Sequence, residues 1–291
     1  MDIGVFVQEQ TVDTAVERIR EADERGFARA WMPQVFGIDA LTVLAIAARE
    51  APTIGLGTAV VPTYPRHPFA LATQARTVAQ VSDGRFTLGI GLSHKVVIEG
   101  MLGMKWGQVR HLRDYLSILM PLLAGEPADY AGETLTGRVA LDIPAEPVPT
   151  VVAALGPKML ELAGRMTAGT ATWMSGLETV GGHVVPSIRA AAEEAGRPAP
   201  QIVVALPVAV TDDPEQAREH AAKAFRMYGS LPSYRAMLDR EGAAGPADVV
   251  IAGNEATVRG EVERFAEAGA TEFVIVPFFE RERTLDCFTA G

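Results

Sequence analysis

One stretch decides the fold: residues 53–93, TIGLGTAVVPTYPRHPFALATQARTVAQVSDGRFTLGIGLS. Thr53–Val60 is apolar, β-branched and spaced by glycines, which is typical of a strand buried on both faces. His67-Pro68 begins a helix whose apolar residues recur at helical spacing, and Ser82-Asp83-Gly84 ends it. Arg85–Gly91 predicts the next buried strand. Two parallel strands joined by a helix form a right-handed βαβ crossover.

The rest of the chain repeats this alternation of strand and helix. Strands are predicted over residues 3–7, 27–32, 53–60, 85–91, 149–154, 169–173, 201–210 and 271–277. Eight strands alternating with helices predict an α/β fold, a (β/α)8 TIM-type barrel. Residues 94–104 are expected to form a loop, and residues 125–149, after the fourth helix, an inserted loop or hairpin. We expect one barrel domain over residues 1–291.

Composition narrows the classes of partner. The chain has 291 residues, 48% of them apolar, and a net charge of −10. The acidic balance argues against nucleic acid or an anionic membrane as the main partner, which leaves a small molecule. Its single cysteine, Cys287, excludes an internal disulfide and fits a reducing cytoplasm. No apolar run approaches membrane-spanning length and no basic signal segment is evident, so we expect a cytoplasmic protein.

Two neighbouring predicted strands each contain two glycines, which leave positions without a side chain: Gly55 and Gly57 in the first, Gly89 and Gly91 in the second. Glycine weakens a strand unless something needs the room. Two explanations remain open, a flat ligand against the backbone or tight packing inside the barrel. The dinucleotide fingerprint does not fit, because the segment after Gly89 lacks the third glycine and opens no immediate helix.

Three segments resemble the bacterial luciferase-like flavin and deazaflavin superfamily: Leu56–Val60, Arg66-His67-Pro68 and Ser82–Gly91. The similarity covers nearly the whole chain. Its nearest branch is the coenzyme F420-dependent oxidoreductases, above all the methylene-tetrahydromethanopterin reductases. The resemblance implies a (β/α)8 barrel, a homodimer, and a cis peptide or bulge at Ala59–Val60 behind the deazaflavin ring. Apolar outer runs such as Leu41–Ala47 would lie in the dimer interface.

A second informative segment is a predicted strand that ends in Ala154-Leu155-Gly156 before a helix opening with Pro157. Free backbone N–H groups, the helix dipole and Lys158 together make an anion site, although an ordinary strand-to-helix turn gives the same pattern. The resemblance implies that Leu155–Met159 hold the cofactor's phosphodiester. The predicted cofactor-binding residues are Thr58, Ala59, Val60, Gly91, Ser93, Ala154, Leu155, Gly156, Pro157, Lys158, Met159 and Trp173.

The carboxyl ends of the predicted strands are mostly apolar or small, with no paired carboxylates, metal-ligand cluster or nucleophilic triad. This argues against hydrolysis and metal chemistry and suits a protein whose cofactor performs the difficult step. His94 is the leading candidate for a proton donor, with a solvated rim histidine as the alternative. Gln34 and Val35 stand where sugar-phosphate and alcohol dehydrogenase relatives place an Asp–His pair. Gln34 is the second catalytic candidate, and alcohol oxidation, which needs a general base, is not expected.

The charge of the anion segment favours one cofactor. F420 carries a singly charged phosphodiester followed by a lactyl–oligoglutamate tail, whereas FMN ends in a phosphomonoester of nearly two charges that usually attracts arginine or several hydroxyls. Residues 155–159 contain one lysine and no Ser, Thr or Arg. We therefore predict an F420-dependent oxidoreductase that reduces an activated C=C or C=N bond. The alternatives are an FMN-dependent luciferase-like monooxygenase and a non-catalytic flavin- or deazaflavin-binding protein.

Overall fold

The computed structural model describes residues 1–144 and 148–289 and consists of a closed parallel barrel inside a ring of helices. The strands are β1 Asp2–Phe6, β2 Arg29–Met32, β3 Gly55–Thr58, β4 Val61–Pro62, β5 Phe86–Gly91, β6 Ala128–Ala131, β7 Thr136–Val139, β8 Thr150–Val152, β9 Gly169–Trp173, β10 Gln201–Val210, β11 Ile251–Gly253 and β12 Glu272–Pro277. The α-helices are α1 Val12–Glu24, α2 Ala40–Glu50, α3 Pro68–Val81, α4 Gln108–Ala124, α5 Pro157–Met166, α6 Leu177–Thr179, α7 Val185–Glu194, α8 Pro214–Ala224, α9 Pro232–Glu241, α10 Glu255–Glu267 and α11 Arg281–Asp286.

The barrel closes through parallel pairing in the order β1, β2, β3, β5, β8, β9, β10, β12 and back to β1. β4 continues β3 after a two-residue interruption and pairs with β5 as β3 does. Counted this way the barrel has eight strands, so the predicted (β/α)8 fold is confirmed. β11 was not predicted. It pairs with the last residues of β10, beyond the ring.

The insertion after α4 is an antiparallel hairpin of β6 and β7, in which Ala128 pairs with Val139. Asp114 of α4 anchors it: its carboxylate accepts hydrogen bonds from the Thr134 backbone N–H at 2.7 Å and the Tyr130 hydroxyl at 2.8 Å. The predicted insertion is confirmed. Residues 145–147 of the insertion, which was predicted over residues 125–149, lie outside the described residues.

Residues 94–104 differ from the predicted loop, because Val96–Met101 form a π-helical turn. The carbonyl of His94 accepts from the backbone N–H groups of Val97 and Ile98, and the Ile98 side chain is buried. Gly100 and Gly103 suggested irregular backbone, whereas the segment forms a helical turn that buries the Ile98 side chain.

Near the amino-terminal ends of the strands, the interior of the barrel contains a polar network around the ring of Trp31. The indole Nε1 of Trp31 donates to Glu272 at 2.6 Å, and the Arg29 guanidinium lies 3.3 Å from the same carboxylate. Arg29 also donates to Thr87 at 3.0 Å and lies over the Trp31 ring, 5.5 Å from its centroid. Burial raises the pKa of Glu272, and Arg29 opposes that shift. The network satisfies the charges that the sequence places inside the barrel.

The packing of α2 differs from the expectation that its apolar run lies exposed on the outside of the barrel. Leu41, Leu44 and Ala47 are buried within the chain, and Ile46 is the large apolar residue of this run that stays exposed. The interpretation of Leu41–Ala47 as an exposed interface was therefore wrong, because these side chains pack inward against the barrel. The homodimer stays a prediction. Over the described residues, the longest apolar helices fall short of what crossing a bilayer requires.

Candidate functional site

The site is expected at the end of the barrel where the parallel strands finish, which we call the mouth. Its floor is apolar and built from small and aromatic side chains. One buried cluster joins strands from all around the barrel, so its members lie in the interior: Trp31, Val151, Val203 and Val274, with Phe6, Ala59, Ala171 and Ala205 packed against them. Phe6 is the last residue of β1 and Ala59 directly follows β3, so both lie in the upper part of this floor.

The interruption between β3 and β4 contains a cis peptide bond at Ala59–Val60, as predicted. The Thr58 hydroxyl spans the neighbouring strands, donating to the carbonyl of Gly89 at 2.8 Å and accepting from its N–H at 2.8 Å. The backbone N–H of Ala59 donates to Met32 at 2.9 Å. Thr58 is therefore buried and holds the bulge, while Ala59 and Val60 are partly accessible from the mouth.

The four strand glycines are explained by packing of the protein itself. A methyl group at Gly57 would lie 2.5 Å from the Trp31 ring, and one at Gly55 would lie 2.9 Å from Arg29. At Gly89 it would lie 1.8 Å from the Thr58 carbonyl oxygen, and at Gly91 it would lie 2.8 Å from Val60. The interpretation of a ligand against these backbones loses its support at the first three positions. Gly91 still makes room for Val60, whose side chain borders the mouth.

The segment after β8 presents an open helix end. Gly156 is the N-cap of α5, so no side chain caps the first turn, and Pro157 is its first residue. A Cβ at Gly156 would meet nothing within 4 Å, which means that the space above this backbone is open. Lys158 is exposed beside it. Ala154 is buried, and its carbonyl lies 3.3 Å from the Thr170 hydroxyl.

His183 holds this segment from behind, in a role that sequence reasoning missed. Its Nε2 donates to the carbonyl of Leu155 at 2.8 Å, and the side chain is buried. His183 lies in a π-helical turn, Val180–Val184, between β9 and α7. No local pattern indicates this contact, because the two residues are 28 positions apart. The bond fixes the residue that precedes the open helix end.

An aromatic wall borders the mouth on the side of β9. Trp173 makes edge contacts with Tyr228 at 5.7 Å and Phe225 at 5.8 Å between ring centroids. Tyr228 packs against Tyr234 at 5.0 Å, and Tyr234 reaches the ring of His94 at 5.7 Å. Burial raises the pKa of both tyrosines, so both stay protonated at neutral pH. The wall thus joins the predicted residues Trp173 and His94 through two tyrosines that the sequence did not single out.

His94 follows β5 and is half-buried. Burial lowers the pKa of its imidazole below the ordinary value, so the neutral form predominates at neutral pH. The preceding residue, Ser93, has a left-handed backbone with φ of 59°. Lys95 and Glu99 form an exposed pair at 3.5 Å on the rim. His94 therefore has a position suited to proton donation, but it would have to donate as a neutral imidazole or after taking up a proton.

Gln34 has a structural partner. Its side-chain oxygen accepts a hydrogen bond from the backbone N–H of Ala40 at 2.8 Å, in the first turn of α2. Asp39 caps the same helix by accepting from Thr42 at 2.9 Å. The neighbours Val35 and Phe36 are exposed, 59% and 72% respectively. The amide oxygen of Gln34 is thus engaged with the helix, which leaves its amide nitrogen for any further contact.

These features fit a flat cofactor carrying one phosphate charge. An apolar floor and an aromatic wall suit a planar ring, and an uncapped helix end beside one lysine suits a single anionic group. Within the described residues, no group of three His, Cys, Asp or Glu side chains could hold a metal ion. What the arrangement offers chemically is binding, orientation and exclusion of water, with His94 as the titratable group at the edge of the wall.

The fold places the chain among the (β/α)8-barrel proteins, whose sites lie where the strands end. Within that class it belongs to the luciferase-like monooxygenase family, because the family model matches residues 1–274. The resemblance inferred from the sequence is thereby confirmed.

Two curated relatives are oxidoreductases. The F420-dependent glucose-6-phosphate dehydrogenase of Beutenbergia cavernae is 33% identical over 241 residues, covering 80% of this chain and 66% of that protein, just under two thirds. The 5,10-methylenetetrahydromethanopterin reductase of Methanolobus tindarius is 28% identical over 262 residues, covering 86% of this chain and 78% of the relative. The similarity to these oxidoreductases extends over most of this chain.

Solved structures confirm the fold. The F420-dependent tetrahydromethanopterin reductase of Methanopyrus kandleri matches with a TM-score of 0.84 at 22% identity, covering 98% of this chain and 96% of that one. The oxygenating component of 3,6-diketocamphane monooxygenase from Pseudomonas putida, in complex with FMN, matches with a TM-score of 0.78 at 18% identity, covering 99% and 96%. The shared fold thus accommodates both F420 and FMN enzymes.

Proposed function

We propose that the chain is an F420-dependent oxidoreductase that transfers a hydride between the deazaflavin and a small organic substrate. The observation that carries the proposal is the open N-terminus of α5, where Gly156 leaves the first turn uncapped and Lys158 is the adjacent cation. A helix end contributes about half a positive charge, and one lysine adds a full one. This donor set matches a phosphodiester better than a phosphomonoester.

Which residues would hold the cofactor follows from the same geometry. Leu155–Met159 would bind the phosphate, with His183 fixing the Leu155 carbonyl behind it. Ala59 and Val60 would support the ring from below, and Trp173 would border it. The cofactor, when bound, supplies the hydride chemistry. The curated relatives that use F420 support this assignment, because the similarity to them extends across most of the chain.

The rim of the mouth supports an uncharged organic substrate. Phe36 follows β2 and Met101 and Met104 follow β5, and all three side chains are exposed. Gln34, whose amide cannot act as a general base, occupies the position after β2 where alcohol-oxidising relatives are expected to place an Asp–His pair. We therefore propose reduction of an activated C=C or C=N bond, in which His94 would supply the proton.

Cofactor choice is tested by fluorescence and absorbance titration of the purified protein with F420 and with FMN. We expect clearly tighter binding of F420. Lys158→Glu should weaken it about five- to thirtyfold, because the substitution replaces an exposed attraction with a repulsion worth about 1–2 kcal/mol in total. Arg49→Glu is the matched control, since Arg49 is an exposed cation in the last turn of α2, at the opposite end of the barrel. Equal or better affinity for FMN would overturn the assignment.

Reaction class is tested separately. Reduced F420 should be oxidised in the presence of a panel of imines and enones, followed at the deazaflavin absorbance. Oxygen consumption with reduced FMN, without turnover of reduced F420, would instead favour the monooxygenase alternative. Tight binding of F420 with no turnover across the panel would favour a deazaflavin-binding protein without catalytic activity.

A further inference from the structure

A basic groove runs along the outside of the barrel between α4 and α5, with a volume of about 650 Å³. Four of its lining residues are cations: Arg110, Arg113, Lys158 and Arg165. Their spacing along the two helices places them on facing stripes, because residues three or four apart share a helix face. Glu161 is the acidic residue in the lining. The groove is therefore locally positive in a chain whose net charge is −10.

Two of these cations have no carboxylate partner. Across the part of the chain that the structure describes, Arg113 and Lys158 form no ion pair. Arg110 lies 2.8 Å from Glu133, and Arg165 lies 2.6 Å from Glu194 and 3.3 Å from Glu161. All three existing pairs are solvent-exposed. Exposed pairs of this kind contribute about 0–1 kcal/mol, so an incoming carboxylate can replace the present partner at little cost.

The groove begins at the proposed phosphate site. α4 and α5 both follow barrel strands, β5 and β8, so their N-terminal ends lie at the mouth and the helices run away from it side by side. Lys158 belongs to both features, since it lies in the first turn of α5 and also lines the groove. From Lys158 to Arg165 the helix advances roughly 10 Å. An extended chain covers at most about 3.5 Å per residue, so the groove holds about three α-linked residues, or fewer if they are γ-linked.

We propose that this groove, defined by Arg110, Arg113, Lys158 and Arg165, binds the oligoglutamate tail of the cofactor as it leaves the phosphate site. The inference rests on the proposed function, because it assigns the groove to a chain of carboxylates that continues from a bound phosphodiester. Lys158 and Arg110, near the mouth ends of α5 and α4, receive the first carboxylates, and Arg113 and Arg165, farther along the helices, receive later ones. Arg110 and Arg165 exchange their exposed partners for these carboxylates. Local attraction thereby overcomes the repulsion expected from an acidic protein.

The experiment is a fluorescence titration of F420 preparations that carry no glutamate, one glutamate, or three or more. For the unsubstituted protein, we expect affinity to rise about two- to tenfold from the shortest to the longest tail, as one or two exposed ion pairs predict. Arg113→Glu should abolish this dependence while leaving the affinity for the tail-less form within about twofold. The tail-dependent gain should also shrink as ionic strength rises, because exposed charges are screened within about 8 Å at physiological salt.

Arg49→Glu serves as the matched control, since it makes the same charge change at the far end of an outer helix. A thermal melt of each variant verifies folding. An affinity independent of tail length in the unsubstituted protein would overturn the proposal, and so would equal effects of Arg113→Glu and Arg49→Glu. Absence of binding for every form, the tail-less one included, would instead overturn the F420 assignment on which the proposal rests.

Discussion

Gly57→Ala separates the two explanations for the glycines of the third strand. A methyl group at this position would lie 2.5, 2.7 and 2.9 Å from three atoms of the Trp31 ring. Trp31 is buried and cannot move aside freely, because its Nε1 donates to Glu272 at 2.6 Å and Arg29 lies over its face. If packing is the reason for the glycine, the substitution should destabilise the protein without any ligand present.

The expected magnitude follows from overpacking of a filled interior, which typically costs about 1–3 kcal/mol. The entropy of unfolding for 291 residues is about 0.6 kcal/mol per kelvin at the midpoint. Gly57→Ala should therefore lower the melting temperature by about 2–5 °C. Gly260→Ala is a matched control: Gly260 lies inside α10, and a Cβ there would meet nothing within 4 Å. Helix propensity predicts a stabilisation of about 1 kcal/mol for that change.

The assay is thermal unfolding of the protein without cofactor, followed by circular dichroism at fixed pH and salt. F420 affinity of the same variants is then measured by titration at a temperature where both are folded. An unchanged melting temperature for Gly57→Ala, together with a large loss of F420 affinity, would refute the packing argument. It would show that the glycine makes room for a ligand instead.

Three further predictions concern the buried network of Glu272, the two buried histidines and the hydrogen bond between Gln34 and the start of α2. Glu272→Gln should lower the free energy of unfolding at pH 7 by about 2–3 kcal/mol, because Arg29 loses a buried partner, and denaturant unfolding measures this. Burial lowers the pKa of His94 and of His111. As the pH falls toward the ordinary histidine pKa of about 6.5, the unfolded chain therefore binds more protons than the folded chain. The melting temperature should be constant above pH 7 and fall below it. Gln34→Leu should cost about 1 kcal/mol in stability through the lost cap and leave turnover within about threefold, whereas a hundredfold loss of turnover would make Gln34 catalytic.

The barrel could be predicted because its determinants are local. Buried strands such as Phe86–Gly91 contain continuous apolar residues, and helices such as Pro68–Val81 have capping residues and a 3.6-residue period. Features set by distant contacts escaped prediction. β11 forms because the last residues of β10 extend beyond the ring, and the π-helical turn at Val96–Met101 depends on burying Ile98.

The candidate site divides in the same way. The sequence alone indicates the open helix end. Gly156 is a cap without a side chain, and Pro157 is suited to the first helical turn. His183 and Tyr234 carry no such local signal, since their contacts with Leu155 and His94 join residues far apart in the chain. The strand glycines could not be assigned from the sequence for a related reason, because the atoms beside them come from other segments of the chain, as the Trp31 ring does at Gly57.

A mouth without an acid–base pair is consistent with a hydride-transferring enzyme. Under the proposed function, the cofactor would supply the reacting hydrogen, and the protein would hold both partners close and exclude water. The side chains fit that division, because Gln34 is committed to the start of α2 and burial keeps His94 neutral at neutral pH. Specificity for the substrate must then come from shape and apolar contact, which directs attention to Phe36 after β2 and Met101 after β5. Under the same proposal, specificity for the cofactor would come from charge at the first turn of α5, where Lys158 is exposed.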